Sequence, residues 1–97
     1  MIKEYRERYL IISRMLGVIN DRGTAGATKT LIMYKAYLSY AQLKEYLSFL
    51  LERGLVEELP QQVKSSGANE RTVYKITGKG IKLLQISKEI EGIVGLD

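Results

Sequence analysis

The spacing of apolar residues near the start of the chain predicts an amphipathic helix over residues 4–20. Its apolar side chains recur every three or four positions, which places them on one face of a helix: Tyr5, Tyr9, Ile12, Leu16 and Ile19. Asn20, Asp21 and Gly23 predict the end of this helix. The stretch "RGTAGA" that follows has the composition of a loop.

Two further helices are predicted before the pattern changes. The first is short and runs from near Thr28 to about Lys35, with three residues available for burial: Leu31, Ile32 and Tyr34. The second begins after Ser39, a good N-cap residue, and ends at Gly54, a residue typical of the C-terminal cap. Its apolar stripe consists of Leu43, Leu47, Leu50 and Leu51, with Tyr40 and Tyr46 on its flanks. The opposite face carries Ala41, Gln42, Lys44, Glu45, Ser48 and Glu52.

The next segments have the pattern of paired strands. "LVEEL" at 55–59 and "TVYKI" at 72–76 are predicted strands, and the polar segment "PQQVKSSGANER" between them is a predicted loop. Thr77 then predicts the N-cap of a final helix, because an apolar pattern of helical spacing follows it.

This order of elements predicts one fold class, α+β and mainly α. Two helices joined by a short connection and followed by a β-hairpin form a winged helix-turn-helix, here with three helices, a β-hairpin wing and a C-terminal helix. We expect residues 1–80 to form the winged helix-turn-helix domain. Residues 81–97 are expected to form a C-terminal dimerisation helix that is continuous with it.

Composition narrows the classes of function. The 97 residues are 45% apolar and 27% charged, as in a single globular domain. Cysteine and histidine are absent, which removes disulfides, thiol nucleophiles, imidazole catalysis and the usual zinc sites. We therefore expect no enzyme activity, no cofactor and no metal. No apolar run approaches the roughly 20 residues of a membrane span, and no signal peptide is recognisable, so we expect no membrane partner and a cytoplasmic, nucleoid-associated location.

The net charge of +4 conceals an alternation of basic and acidic blocks along the chain. Residues 22–44 contain Arg22, Lys29, Lys35 and Lys44 and no acid. Residues 61–88 contain one acidic residue, Glu70, and six basic residues: Lys64, Arg71, Lys75, Lys79, Lys82 and Lys88. Residues 45–58 and 89–97 are acidic. Basic blocks of this kind indicate either a nucleic-acid partner or simply a solvated surface.

The run "TKTLIMYKAYLSYAQLKEYLSFLLERGLVE", followed by "VYKITGKGIKLLQ", resembles a group of small archaeal winged helix-turn-helix DNA-binding proteins. The similarity covers about residues 10–85. The group includes transcription regulators and chromatin-associated proteins that dimerise through the C-terminal helix as an antiparallel coiled coil. The resemblance therefore implies double-stranded DNA binding and a homodimer.

The helix that starts at Ser39 is the predicted recognition helix. Its N-terminal half is expected to enter the major groove, where Gln42 can pair with adenine and Lys44 with guanine or a phosphate. Ser39 and Ser48 are further candidate hydrogen-bonding residues. The alternative is that this face is only the solvated side of an amphipathic helix.

The start of the preceding helix and the wing supply the other predicted DNA contacts. Free backbone N–H groups at the start of that helix favour a phosphate beside Thr28, Lys29 and Thr30, with a purely capping role for Thr28 as the alternative. Lys35, near its end, either contacts DNA or binds exposed carbonyls. In the wing, the candidates are Lys64, Ser65, Ser66, Asn69 and Arg71, with an ordinary polar turn as the alternative.

The C-terminal helix carries an apolar seam suited to self-association. Leu83, Ile86, Ile90 and Ile93 follow heptad spacing and form the predicted dimer interface. Ile81 and Leu84 are expected to pack on the body of the domain. The alternative is that the seam folds back onto the first helix of its own chain.

The leading prediction is a dimeric winged-helix protein that binds double-stranded DNA with weak sequence specificity, as a transcription regulator or a chromatin protein. The alternatives are a winged-helix protein–protein interaction module and, third, an RNA-binding protein. A ligand-sensing role also remains open.

Overall fold

The structure is a computed structural model that describes residues 2–62 and 70–94. Its elements follow the predicted order. Helix α1 (Ile2–Arg22) leads through a 3₁₀ turn (Gly23–Ala25) to α2 (Lys29–Lys35) and α3 (Tyr40–Glu52). Strands β1 (Val56–Gln62) and β2 (Glu70–Ile76) form the hairpin, and α4 (Gly78–Val94) follows. The prediction of a winged helix-turn-helix is confirmed.

The core forms where the apolar faces of α1, α2 and α3 meet the hairpin. The fully buried side chains include Met15, Leu16, Ile19, Ile32, Leu43, Leu50 and Tyr74. The predicted stripes of α1 and α3 supply most of them, because local helical spacing decides which residues share a face. Tyr34 was expected to be buried and is not: its side chain is 76% exposed. Tyr34 lies two positions after Ile32, the buried residue of α2, and therefore lies on the opposite side of the helix.

The hairpin is longer than predicted on both strands. Val56 pairs with Ile76 and the antiparallel ladder continues to Gln62 and Glu70. Pro60 was expected to lie in the loop, but it pairs with Thr72. Proline is tolerated there because β1 is an edge strand, whose outward N–H groups need no partner strand.

The loop before α2 also joins the sheet, which the sequence did not predict. Ala27 N donates to Tyr74 O at 2.9 Å, and Tyr74 N donates to Ala27 O at 2.8 Å. Gly26 permits this approach, since a Cβ there would lie 2.9 Å from the Val73 side chain. This bridge ties the start of α2 to the wing.

Thr77 is the N-cap of α4, as predicted. The Thr77 hydroxyl accepts a hydrogen bond from Gly80 N at 3.1 Å and lies 2.7 Å from the Gly54 carbonyl oxygen. Leu84 and Ser87 are buried against the body of the domain, as was expected of Leu84. The same expectation for Ile81 is wrong, because Ile81 is 40% exposed and lies outside that stripe. Within the described part of the chain, no helix has the length and apolar character needed to cross a membrane.

Candidate nucleic-acid interface

The outward face of α3 is open to solvent along its length. All six residues predicted for this face are exposed: Ala41, Gln42, Lys44, Glu45, Ser48 and Glu52. Leu43, Leu47 and Leu50 are buried on the opposite side. Of the predicted flanking tyrosines, Tyr46 is half-buried and Tyr40 is 63% exposed. The helix therefore presents a polar surface on which a partner can lie.

A capping box fixes the start of α3. Gln42 N donates to Ser39 Oγ at 3.1 Å, and Ser39 N donates to Gln42 Oε1 at 3.0 Å. The Gln42 amide is thus held against the backbone of its own helix. The oxygen that an adenine contact requires already accepts one hydrogen bond, so the capping role of Gln42 restrains its predicted role as a base reader.

Three of the predicted contact residues surround one small depression. Lys29 of α2 and Lys44 and Ser48 of α3 line a pocket of about 160 Å³ that reaches Glu58 and Tyr74 on the hairpin. We call this the front pocket. It brings the start of α2, the middle of α3 and the wing together, so two cations converge where the three elements meet.

The carboxylate of Glu58 in the front pocket already accepts a hydrogen bond. Tyr74 Oη donates to Glu58 Oε2 at 3.0 Å. Burial, and then this hydrogen bond and the charge of Glu58, raise the pKa of Tyr74 to about 12. The phenol of Tyr74 therefore keeps its proton at neutral pH, and its hydrogen bond stabilises the negative charge of Glu58.

The other predicted residues of α2 differ in their roles. Thr28 Oγ1 accepts a hydrogen bond from Leu31 N at 3.2 Å, which makes Thr28 the N-cap of α2. Lys29, Thr30 and Lys35 are exposed and lie outside the core.

The turn between α2 and α3 carries an exposed aromatic cluster that sequence reasoning missed. Tyr34, Tyr37 and Tyr40 are 76%, 83% and 63% exposed. Lys44 Nζ lies 5.6 Å from the Tyr40 ring centroid. In the sequence, these tyrosines recur at every third position. Apolar patterning counts tyrosines at helical spacing as buried, so their exposure was not predicted. These three side chains are called the tyrosine turn below.

Tyr37 adopts a backbone conformation that favours glycine. Its φ is 58°, and no other non-glycine residue in the described part of the chain has a positive φ. Arg14 of α1 holds this turn: its Nη1 donates to Ala36 O at 3.2 Å, and its guanidinium lies 5.9 Å from the Tyr37 ring centroid. A strained residue kept in place by a tether is typical of a functional position.

Of the predicted wing contacts, Lys64, Ser65, Ser66 and Asn69 lie outside the described residues. The backbone of Arg71 belongs to β2 and pairs with Gln61.

The family follows from the chain as a whole. The model of the winged helix-turn-helix family matches residues 5–94. The chain belongs to this family. The match includes every element from α1 to α4, so the exposed helix, the tyrosine turn and the hairpin are features of one winged-helix domain.

Solved structures share this winged-helix fold. A mutant of S. aureus MepR superposes with a TM-score of 0.73 at 18% identity over 88% of this chain and 59% of that one. The S. aureus MepR–DNA complex gives 0.63 at 19% identity over 89% and 62%. Sso10a-2, a DNA-binding protein from Sulfolobus solfataricus, gives 0.65 at 23% identity over 90% and 80%.

At these identities the likeness shows the shared fold. The chain spans less than two thirds of the length of these two MepR chains. None of the curated protein sequences matches it.

The predicted seam of α4 is partly open to solvent. Ile86, Ile90 and Ile93 are 43%, 42% and 82% exposed, and Leu83 is half-buried. Ser87 and Leu84 form the buried row instead. The alternative in which the seam folds back onto α1 is therefore wrong for Ile93, whereas Leu83 and Ile86 lie in a groove shared with Tyr9 and Ile12 of α1.

Proposed function

We propose that this protein binds double-stranded DNA as a homodimer and acts as a transcription regulator or a chromatin protein of the nucleoid. The observation that carries the proposal is the exposed face of α3 beside the front pocket, where Lys29, Lys44 and Ser48 converge. The width of the major groove admits an α-helix presented in this way.

Phosphate contacts supply most of the proposed affinity. Lys29 and Lys44 border the front pocket, Lys35 is exposed on α2, and the wing contributes Lys64 and Arg71. The N–H groups at the start of α2 add a favourable dipole for a phosphate. Ser65, Ser66 and Asn69 contribute hydrogen bonds to sugars or phosphates in this arrangement.

The tyrosine turn extends this phosphate-binding surface at the entrance to α3. Tyr37 and Tyr40 are both exposed, and the Tyr40 ring lies beside Lys44. Tyrosine hydroxyls donate to phosphate oxygens, which positions a protein on the duplex without reading its sequence.

Base reading is limited on this face. Gln42 is held in the capping box, and Ser39 accepts a hydrogen bond from the same residue. Glu45 and Glu52 share the outward face and repel phosphates. Lys44 and Ser48 remain as the side chains best placed for base edges, so we propose weak sequence specificity.

Dimerisation uses α4 in this proposal. Residues 1–80 form the unit that contacts DNA, and residues 81–97 carry the seam. The exposure of Ile86, Ile90 and Ile93 supports this division, since a second copy can cover them. Analytical ultracentrifugation of Ile90→Lys/Ile93→Lys tests it: a wild-type dimer and a variant monomer are expected, and a wild-type monomer contradicts the proposal.

A salt titration tests DNA binding itself. The affinity for a random duplex should fall linearly with salt on logarithmic axes, by about 0.9 in slope for each phosphate contact. If Lys44 reads a base, Lys44→Ala should weaken preferred sites by about 1–3 kcal/mol and relax sequence choice. If Arg71 contacts the backbone, Arg71→Ala should weaken all sites about equally. Affinity that is insensitive to salt would contradict the proposal.

One observation favours a protein-interaction module as the second candidate. Glu45, Glu52, Glu57 and Glu58 are all exposed, which gives α3 and β1 an acidic surface. An interaction module should not shift random duplex DNA in a gel. RNA binding is the third candidate, and it predicts that single-stranded or hairpin RNA competes better than duplex DNA.

A further inference from the structure

An apolar groove lies on the side of the protein away from the front pocket. It is formed by α1, the C-terminal end of α3, the residue before β1 and the first turns of α4. Its volume is about 630 Å³, within the range of small-molecule sites in proteins. None of its lining residues belongs to the predicted DNA contacts. We call it the rear groove.

The walls of the rear groove are apolar and partly aromatic. They consist of Tyr9, Ile12, Phe49, Leu55, Leu83 and Ile86. A hydrocarbon chain placed along these side chains would be removed from water, which is the main favourable term for binding apolar groups.

Four cations surround these apolar walls: Arg8, Arg53, Lys79 and Lys82. No carboxylate lines the rear groove within the described part of the chain. Lys79 Nζ donates to Arg53 O at 2.7 Å, and the Arg53 guanidinium lies 5.1 Å from the Phe49 ring centroid. Packing and hydrogen bonding thus hold two of the four charges at the groove.

One end of the rear groove is more positive than the other. Arg8 also borders a neighbouring pocket lined by Glu45 and Glu52. Those carboxylates offset the charge of Arg8. The net positive field is therefore strongest at the end formed by Arg53, Lys79 and Lys82.

The hydroxyl of Tyr9 gives an independent indication of a polar ligand group. Within the described part of the chain, this oxygen is buried and has no hydrogen-bond partner. Buried hydroxyls are normally paired, and an unpaired one requires an explanation. Tyr9 lines the groove, so a bound anion that reaches its hydroxyl would supply the missing partner.

We propose that the rear groove binds a small amphiphilic carboxylate. Its hydrocarbon part lies on Ile12, Leu83 and Ile86, and its carboxylate meets the cations and the Tyr9 hydroxyl. Leu83 and Ile86 also belong to the predicted dimer seam, so this proposal assigns only Ile90 and Ile93 of the seam to a second copy. A second copy over Leu83 and Ile86 is the competing occupant. The apolar side chains of its seam cannot pair with the four cations, whereas an anion can.

Calorimetric titration of the full chain with decanoate, below its micelle concentration and without DNA, tests this proposal. We expect saturable binding of one decanoate per chain and no binding of decyltrimethylammonium, which has the same chain and the opposite charge. Because DNA is absent, the result is independent of the proposed DNA binding. No binding of decanoate, or equal binding of both amphiphiles, would overturn the proposal.

Variants locate the site. Arg53→Gln and Lys82→Gln should each weaken decanoate binding about tenfold, as expected when a charge-assisted contact is lost. Lys88→Gln is the matched control, because it removes an exposed cation of α4 that does not line the groove. Tyr9→Phe keeps the ring and should weaken binding severalfold. Circular dichroism checks that each variant is folded. If Arg53→Gln and Lys82→Gln bind as tightly as Lys88→Gln, the carboxylate site is elsewhere and the proposal is wrong.

Discussion

The same backbone motif lies before and after α3, but a different type of residue occupies its left-handed position in each. Before α3, Leu38 N donates to Met33 O and Tyr37 N to Tyr34 O. After α3, Leu55 N donates to Leu50 O and Gly54 N to Leu51 O. Both are Schellman motifs, in which one residue takes a left-handed conformation. That residue is Tyr37 in the first motif, with φ 58°, and Gly54 in the second, with φ 70°.

The difference between Tyr37 and Gly54 indicates two roles. The turn after α3 serves stability, and the turn before α3 serves the proposed contact with a partner. Glycine adopts this conformation without a steric penalty, whereas another residue pays about 1–2 kcal/mol. The strained residue, Tyr37, belongs to the exposed tyrosine turn at the proposed DNA-binding end of α3. The unstrained Gly54 lies where α3 meets α4 through the Thr77 hydroxyl. Among the described residues, Tyr37 at the entrance to α3 is the one non-glycine residue that takes this strained conformation.

Gly54→Ala should have the largest effect on stability. A Cβ at Gly54 meets no atom within 4 Å, so the expected loss of about 1–2 kcal/mol comes from backbone strain alone. Urea denaturation measures it. Gly17→Ala is the control, since Gly17 lies inside α1 with free space around it and should become more stable by about 0.5–1 kcal/mol. The comparison fails if both variants change stability in the same direction.

Thr77→Ala should have the next largest effect, a loss of about 1 kcal/mol. It removes the hydroxyl that accepts from Gly80 N and lies beside Gly54 O, so it loosens α4 and the end of α3 together. Thr77→Ser keeps the hydroxyl and should retain most of the stability in the same urea titration. Equal losses in the two variants would show that the methyl group, and not the cap, stabilises this junction.

Tyr37→Gly should have the smallest effect on stability and the opposite sign. Relief of strain, less the greater freedom of glycine in the unfolded chain, gives a gain of up to about 1 kcal/mol. The affinity for duplex DNA should fall about fivefold, the equivalent of one hydrogen bond of about 1 kcal/mol. Thermal unfolding and fluorescence anisotropy measure the two quantities. A variant that is less stable, or that binds DNA as tightly as wild type, contradicts the role given to Tyr37.

The parts of the structure that depend on local sequence could be predicted, and those that depend on distant contacts could not. Ser39, Gly54 and the leucines between them define α3 because caps and spacing act within one or two turns. The bridge from Ala27 to Tyr74 joins residues far apart in the chain, so no local pattern indicates it. The left-handed Tyr37 was missed for a related reason: propensity favours glycine there, and the tether from Arg14 overrides it.

The candidate site divides in the same way. The exposure of Lys44 follows from helical spacing, and the exposed face of α3 was predicted correctly. The capping bond of Gln42 was not predicted, because the polar side chain was assigned to a partner before its own backbone was considered. The rear groove combines residues from α1, α3 and α4 and therefore has no signature in the sequence.

The most direct test of the account compares cations on the two sides of the protein. Lys29→Gln/Lys44→Gln changes the front pocket, and Lys79→Gln/Lys82→Gln changes the rear groove. Both variants lose two charges, so a general loss of electrostatic attraction affects them alike. The measurement is the affinity for a labelled random duplex by fluorescence anisotropy across a salt series. The front variant is expected to bind the duplex at least about tenfold more weakly than wild type, with a salt slope reduced by about 2. The rear variant is expected to stay within about twofold of the wild-type affinity. Equal losses in the two variants, or a greater loss in the rear variant, would contradict the account.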